Sequence, residues 1–261
     1  MADSLIMRKD VDSLQQPELD ALRDAYAKMQ GISDNRGWQH WSGLHGYPNY
    51  LCWHHFREGN GSQRPYDLFL PWHRAYLQTF QHVVLDQNEA AVLTWWDWTS
   101  ALSQANGLPA AFTNPGSNPP NSLYSGMVPE VPTQGWPAHA TTRSPGDPGQ
   151  LPTTDDVNAL MQLGSYVDFS SQVQDVHDGV HGWVGGDMGM VPLSAYDPIF
   201  WSHHCMIDRL WYLWQLQNGM NNIPDDYLRL PLAPFNLTVA DVLDIHKLGY
   251  DYVATEVSVN A

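Results

Sequence analysis

Histidine placement constrains the fold of this 261-residue chain more than any other feature. Three apolar helical patterns each carry a histidine on the face that must turn inward. Between Phe69 and Leu77 the sequence reads FLPWHRAYL, and the stripe of Leu77, Phe80 and Val84 begins at His73 itself. His177 and His181 stand four apart among Val176, Val180, Trp183 and Val184, so both imidazoles leave one helical face. His204 lies in DPIFWSHHCMIDRLW, where Asp197-Pro198 starts a helix and Asp208 follows one turn after the histidine. His203 points about 100° away from its neighbour, so only one of the pair shares the inward face. A buried neutral imidazole needs a partner at each ring nitrogen, and a metal ion is one that satisfies it.

Taken singly, each of these has a bland reading. A lone histidine on an apolar helix face is more often a satisfied core residue, and an isolated HxxxH pair is more often solvated. Several such segments together, with His45, His54 and His55 in the first half, make that reading costly. Only two cysteines occur, Cys52 and Cys205, too few for a four-thiolate zinc site or a disulfide framework. The thermolysin-type zinc signature is also absent, since Asp178 rather than Glu follows His177. Sets of neutral imidazoles without thiolate or carboxylate suit copper better than magnesium, calcium or an iron–sulfur cluster.

The remaining composition excludes partners. The formal net charge of −16 works against nucleic acid and anionic membranes. With 43% hydrophobic and 15% charged residues, the chain is expected to bury a core. No run of apolar residues is long enough to span a bilayer, and the first ten residues lack the apolar stretch of a secretory signal. The expectation is a soluble protein, cytoplasmic or exported by a separate route.

The periodicity predicts a mainly α fold with a four-helix-bundle core, long loops and minor β. Helices are expected over 13–30, with Ser13 as cap, over 73–85, over 155–184 with a break near Gly164, and over 198–218. Residues 91–98 are read as a strand or buried extended segment, and 249–253 as an edge strand. Ten of the nineteen prolines fall between 101 and 155, which predicts a long loop region without sustained helix or sheet. Each side of it carries only part of the histidine set, so residues 1–261 are expected to form a single domain.

In order along the chain, FLPWHRAYL at 69–77, HDGVHGWVGGDM at 177–188 and DPIFWSHHCMIDRLW at 197–211 resemble the two copper-binding motifs of the tyrosinase and catechol oxidase family. TWWDWTS at 94–100 resembles a further family segment, and Tyr250-x-Tyr252 resembles the tyrosine motif that closes the catalytic domain. The resemblance runs from RKDV at 8–11 to GYDY at 249–252. It implies a dinuclear type 3 copper site, with O2 as co-substrate and a small phenol as substrate. It places the first copper on His45, His54 and His73, and the second on His177, His181 and His204, with His203 and Asp208 supporting the ligands from behind. Cys52-Trp53-His54 resembles the Cys-x-His in which the cysteine is joined to the ligand by a thioether bond. The interval from His54 to His73 exceeds the family's usual one, so His55 stays open as the alternative ligand.

The activity so implied is oxidation of o-diphenols to o-quinones, with ortho-hydroxylation of monophenols. Catechol oxidase or o-aminophenol oxidase activity without hydroxylation is the alternative, and an oxygen-carrier-like dicopper protein is the reading outside the enzyme class. Hydroxylation needs a base near the second copper. Asp178 is the best-placed carboxylate, acting directly or through a water held near Gln174 or Asp168. Gly182 and Val191 are expected to widen the mouth of the substrate pocket. No shielding segment follows Tyr252 within this sequence, which leaves an open site or a separate copper-delivery helper protein as expectations.

Overall fold

The computed structural model describes residues 5–52, 68–116, 118–220 and 222–253. In chain order the main elements are β1 (Ile6–Asp10), α1 (Gln16–Gln30), α2 (Trp38–His45), α3 (Phe69–Gln87) and β2 (Thr94–Trp95). Two short helices follow, α4 (Ala101–Asn106) and α5 (Ala110–Thr113), then the ribbon strands β3 (Met127–Val128) and β4 (His139–Ala140). The chain closes with α6 (Thr154–Met161), α7 (Tyr166–Val184), α8 (Ile199–Asn218) and β5 (Tyr250–Tyr252). No helix among the described residues is long and apolar enough to cross a membrane.

The core is a bundle in which α3 packs against α1, α7 and α8. Its contact face is aromatic: the rings of Phe80 and Trp201 stack at 3.4 Å, and Tyr76 lies 4.8 Å from Trp201. Such side chains each remove about 150–250 Å² from water, so a few of them fix the pairing of two helices. The expected break near Gly164 separates α6 from α7, with Ser165 capping α7 by accepting from the Asp168 N–H. Helix α1 starts later than the sequence predicts. Gln15 and Glu18 form its capping box, while the Ser13 hydroxyl donates to the Asp10 carbonyl in a preceding 3-10 turn.

A three-stranded parallel sheet, ordered β2-β1-β5, joins the two ends of the described chain. Arg8 of β1 pairs in register with Tyr252 of β5. Both reach the buried Asp208 of α8, and Arg74 of α3 donates to the same carboxylate. The sheet is thereby bolted to the helices that carry the histidines.

The proline-rich region is not featureless. Residues 139–146 run as a strap along the end of α7: the N–H groups of Ser144 and Gly146 donate to the carbonyls of Val184 and Trp183 at 2.9 and 2.8 Å. Arg143 of the same strap grips Asp197, which in turn accepts the Ile199 N–H at the start of α8. Sequence periodicity misses this because the bonds are made by backbone that follows no repeat.

Candidate metal centre

Four helices deliver the imidazoles. His45 is the last residue of α2, His73 lies in the first turns of α3, His177 and His181 project from α7, and His203 and His204 from α8. His45, His73, His177 and His204 are buried. Their distances fall into two triads, His45–His73–His204 and His177–His181–His203, each with its ligand atoms within 4.8 Å of one another. His204 belongs to both neighbourhoods. Its ring stacks on His73 at 4.5 Å, while its Nε2 lies 3.1 Å from His177 Nε2 and 3.2 Å from His181 Nε2.

The ring nitrogens on the far side set the tautomers. His73 Nδ1 donates to the Phe69 carbonyl at 2.8 Å, His181 Nδ1 to the Met188 carbonyl at 2.8 Å, and His177 Nδ1 to an Asp178 carboxylate oxygen at 2.9 Å. Because those partners only accept, each Nδ1 carries the hydrogen and leaves a lone pair on Nε2. Burial pushes His73 down to about 3 and His181 to about 4, and drives His203 and His204 well below the ordinary imidazole value. These four imidazoles are therefore neutral at pH 7. Lone pairs on His177 and His181 converge on His204 Nε2; one hydrogen on that nitrogen can serve only one of them, whereas a cation among the three serves all. Imidazole nitrogens bound at about 2 Å around one tetrahedral ion lie about 3.3 Å apart, close to the spacing found. The donor set fits copper.

Beside these histidines opens a cavity of about 260 Å³ lined by His177, Asp178, His181, Gly182, Met188, Gly189, Val191 and Ser194. A side-chain carbon placed at Gly182 would meet nothing within 4 Å, so this glycine keeps the mouth wide. Outside that lining, Phe69 and Phe200 pack on the imidazoles, with Phe200 4.0 Å from His204 and 4.7 Å from His45, and Phe69 4.8 Å from His177.

Residues 35–217 match the common central domain of tyrosinase. The chain belongs to the tyrosinase family. This is a family of type 3 dicopper proteins, and the two histidine triads are placed to bind metal. The chain is 29% identical over 281 residues to the G-type hemocyanin, units Oda to Odg, of Enteroctopus dofleini, covering 95% of this chain and 9% of that protein. It is 28% identical over 217 residues to the tyrosinase of Streptomyces antibioticus, covering 70% of this chain and 78% of the other. A functional unit of octopus hemocyanin superposes with a TM-score of 0.78 at 30% identity, over 95% of this chain and 68% of that one. Tyrosinase from Burkholderia thailandensis shares the fold, with a TM-score of 0.81 at 20% identity over 99% and 75% of the two chains. Three of the hemocyanins matched are much longer, the chain spanning 9%, 22% and 8% of their lengths.

Against the tyrosinase-family expectation, the structure brings together His45, His73, His177, His181 and His204, with Asp178, Gly182 and Val191 at the cavity. His54 and His55 lie outside the described residues, and with them the proposed Cys52–His54 link. Cys52 itself is buried, outside any disulfide, and burial pushes its thiol up to about 12. His203 stacks on the His177 ring at 5.1 Å, and distance alone would make it the third ligand of that set. His204 Nε2 also lies 3.1 and 3.2 Å from the Nε2 atoms of His177 and His181, so both histidines of α8 are within reach of the pair.

Two expectations are corrected. Asp168 is exposed in the first turn of α7, nine residues from His177 and so about 13 Å away along the axis, which is too far to hold a water at the metal. Asp208 supports no ligand: one turn after His204 on α8, its carboxylate is taken up by Arg74, Arg8, Tyr250 and Tyr252, and among the described residues it makes no hydrogen bond to a ligand imidazole. Gln174 is fully buried and stands outside the cavity lining. Sequence reading also missed the carbonyls of Phe69 and Met188, since a backbone acceptor has no residue signature, and Phe200, which reads as ordinary core.

Proposed function

We propose that this chain is a copper-dependent phenol oxidase that converts o-diphenols to o-quinones with O2 and ortho-hydroxylates monophenols. The observation that carries the reading is the solvent-open cavity lying directly on the His177–His181 pair. At about 260 Å³ it is smaller than a typical drug-sized pocket and fits a single phenol ring. Copper bound by the two histidine sets supplies the redox couple and the activation of O2. The chain's own residues do the rest. His177 and His181 are held in the ligating tautomer by Asp178 and Met188, Phe69 and Phe200 pack on the imidazoles, and Gly182 admits the ring. Asp178, exposed at the mouth, accepts the phenolic proton at its carboxylate so that the substrate arrives as phenolate.

A second reading, a reversible oxygen carrier, is favoured by the likeness to hemocyanins over 95% of the chain. An oxygen electrode separates the two. Copper-loaded protein given catechol should consume O2 continuously, far beyond one O2 per protein, and tyramine should follow after a lag. Uptake that stops at one O2 per copper pair and reverses under vacuum would overturn the enzyme reading in favour of the carrier.

A further inference from the structure

We propose that His139, Asp187 and Thr142 form a proton-dependent latch that fixes the orientation of His181 and the lip of the cavity. Helix α7 ends at Val184, and the chain turns through Gly185 and Gly186 at φ +63° and +56°. An added side chain at Gly186 would strike the Thr142 carbonyl at 2.2 Å, so the turn is pressed against the strap. The next residues serve the metal centre twice. The Met188 carbonyl receives the Nδ1 hydrogen of His181, and Met188, Gly189 and Val191 form one wall of the cavity.

What holds this turn is Asp187. One carboxylate oxygen accepts from both the N–H and the hydroxyl of Thr142, at 2.8 and 2.9 Å. The other lies 2.9 Å from His139 Nε2, and the Asp187 N–H donates back to the Thr142 carbonyl at 3.0 Å. His139 Nδ1 sits 2.9 Å from the Pro137 carbonyl. Both partners of the His139 ring are therefore acceptors only, and a single protonation state satisfies both: the imidazolium. Loss of either hydrogen sets a lone pair against an oxygen. The ring is about a third exposed, so it exchanges protons with solvent.

No other charge competes for the ring within hydrogen-bond distance among the described residues. Strand β3, which pairs with β4, contributes Met127 and Val128, neither of which titrates. Arg143, further along the strap, is engaged by Asp197. Pairing with Asp187 also holds the His139 imidazolium above its ordinary value, which places the transition on the alkaline side of about 6.5. Below that point the turn is locked and His181 keeps its carbonyl partner. Above it one bond is lost and residues 185–191 loosen.

The effect on copper rests on the ligand assignment argued above; the latch itself does not. The test uses the copper-loaded full chain as wild type, His139→Gln and Thr142→Val. Backbone hydrogen exchange of residues 185–191 is followed from about pH 6 to about pH 8.5 and normalised to intrinsic exchange, with copper release to a chelator measured alongside. In the wild type, normalised exchange should rise about three- to tenfold across that range, as expected for losing one partly exposed charged hydrogen bond, and copper release should rise with it. His139→Gln, which still donates but cannot titrate, should be flat. Thr142→Val should exchange faster at every pH while keeping the slope. A flat wild type, or the same slope in His139→Gln, overturns the latch even where copper binding and O2 uptake are intact. Conversely, failure to hold copper or to oxidise catechol breaks the functional reading while the exchange series still decides the latch.

Discussion

Asp178 holds the His177 tautomer through one oxygen and is half-exposed at the cavity mouth. Replacement by Asn separates those tasks, because the amide oxygen still accepts from His177 Nδ1 while the charge and the base are lost. Asp178→Asn should retain two coppers and catechol oxidation within about tenfold, while monophenol oxidation falls by about 100-fold or more; steady-state rates on catechol and tyramine check this. Gly182 offers a complementary test. It sits within α7 where an added side chain meets nothing. Gly182→Ala should therefore stabilise the fold by about 0.5–1 kcal/mol through helix propensity, whereas Gly182→Phe should raise the KM for phenols without lowering the thermal midpoint.

Between elements, Asp208 is the junction at which α3, α8, β1 and β5 meet. Its burial raises the carboxyl's proton affinity, but Arg74 and Arg8 outweigh that and hold it below its ordinary value. Removing one partner of such a buried group leaves uncompensated charge, so Asp208→Asn should cost about 3–5 kcal/mol near pH 7, read by urea unfolding. The sign with pH follows from linkage. Because the folded carboxyl is the stronger acid, its contribution is complete above the unfolded value of about 3.9 and is lost as pH falls through the lower folded one. The gap between wild type and variant should close only in that acidic range. Spacing alone marked Asp208 as sharing a face with His204, and that far the sequence was legible. It did not reveal that Arg8 and Arg74 lie across that face, since those contacts span 200 and 134 positions. The long helices were legible for a complementary reason: their apolar stripes repeat within one element. The strap at 139–146 and helix α2 were not, because their order comes from bonds to distant backbone rather than from a period of their own.

At the scale of the whole molecule, the metal centre is a convergence of helices whose neutral imidazoles face one another, so copper and fold are thermodynamically linked. A ligand present at about 1,000 times its dissociation constant and bound only by the folded state stabilises it by about 4 kcal/mol. For a chain of this size that corresponds to a shift of about 8–16 °C in the thermal midpoint. Removing copper with a chelator at pH 7 should lower the midpoint by that order, and adding copper back should restore it. The metal-free chain should also weaken in acid. Unfolded imidazoles bind protons below about 6.5, whereas His181 and His73 resist them until about 4 and about 3. Below 6.5 the unfolded state therefore holds more protons, and stability drains away as pH falls toward those folded values. A calorimetric midpoint for metal-free protein that stayed constant between pH 6.5 and pH 4 would mean that these imidazoles take up protons in the folded chain as readily as in the unfolded one, and that the two histidine sets are not the neutral donor cluster described above.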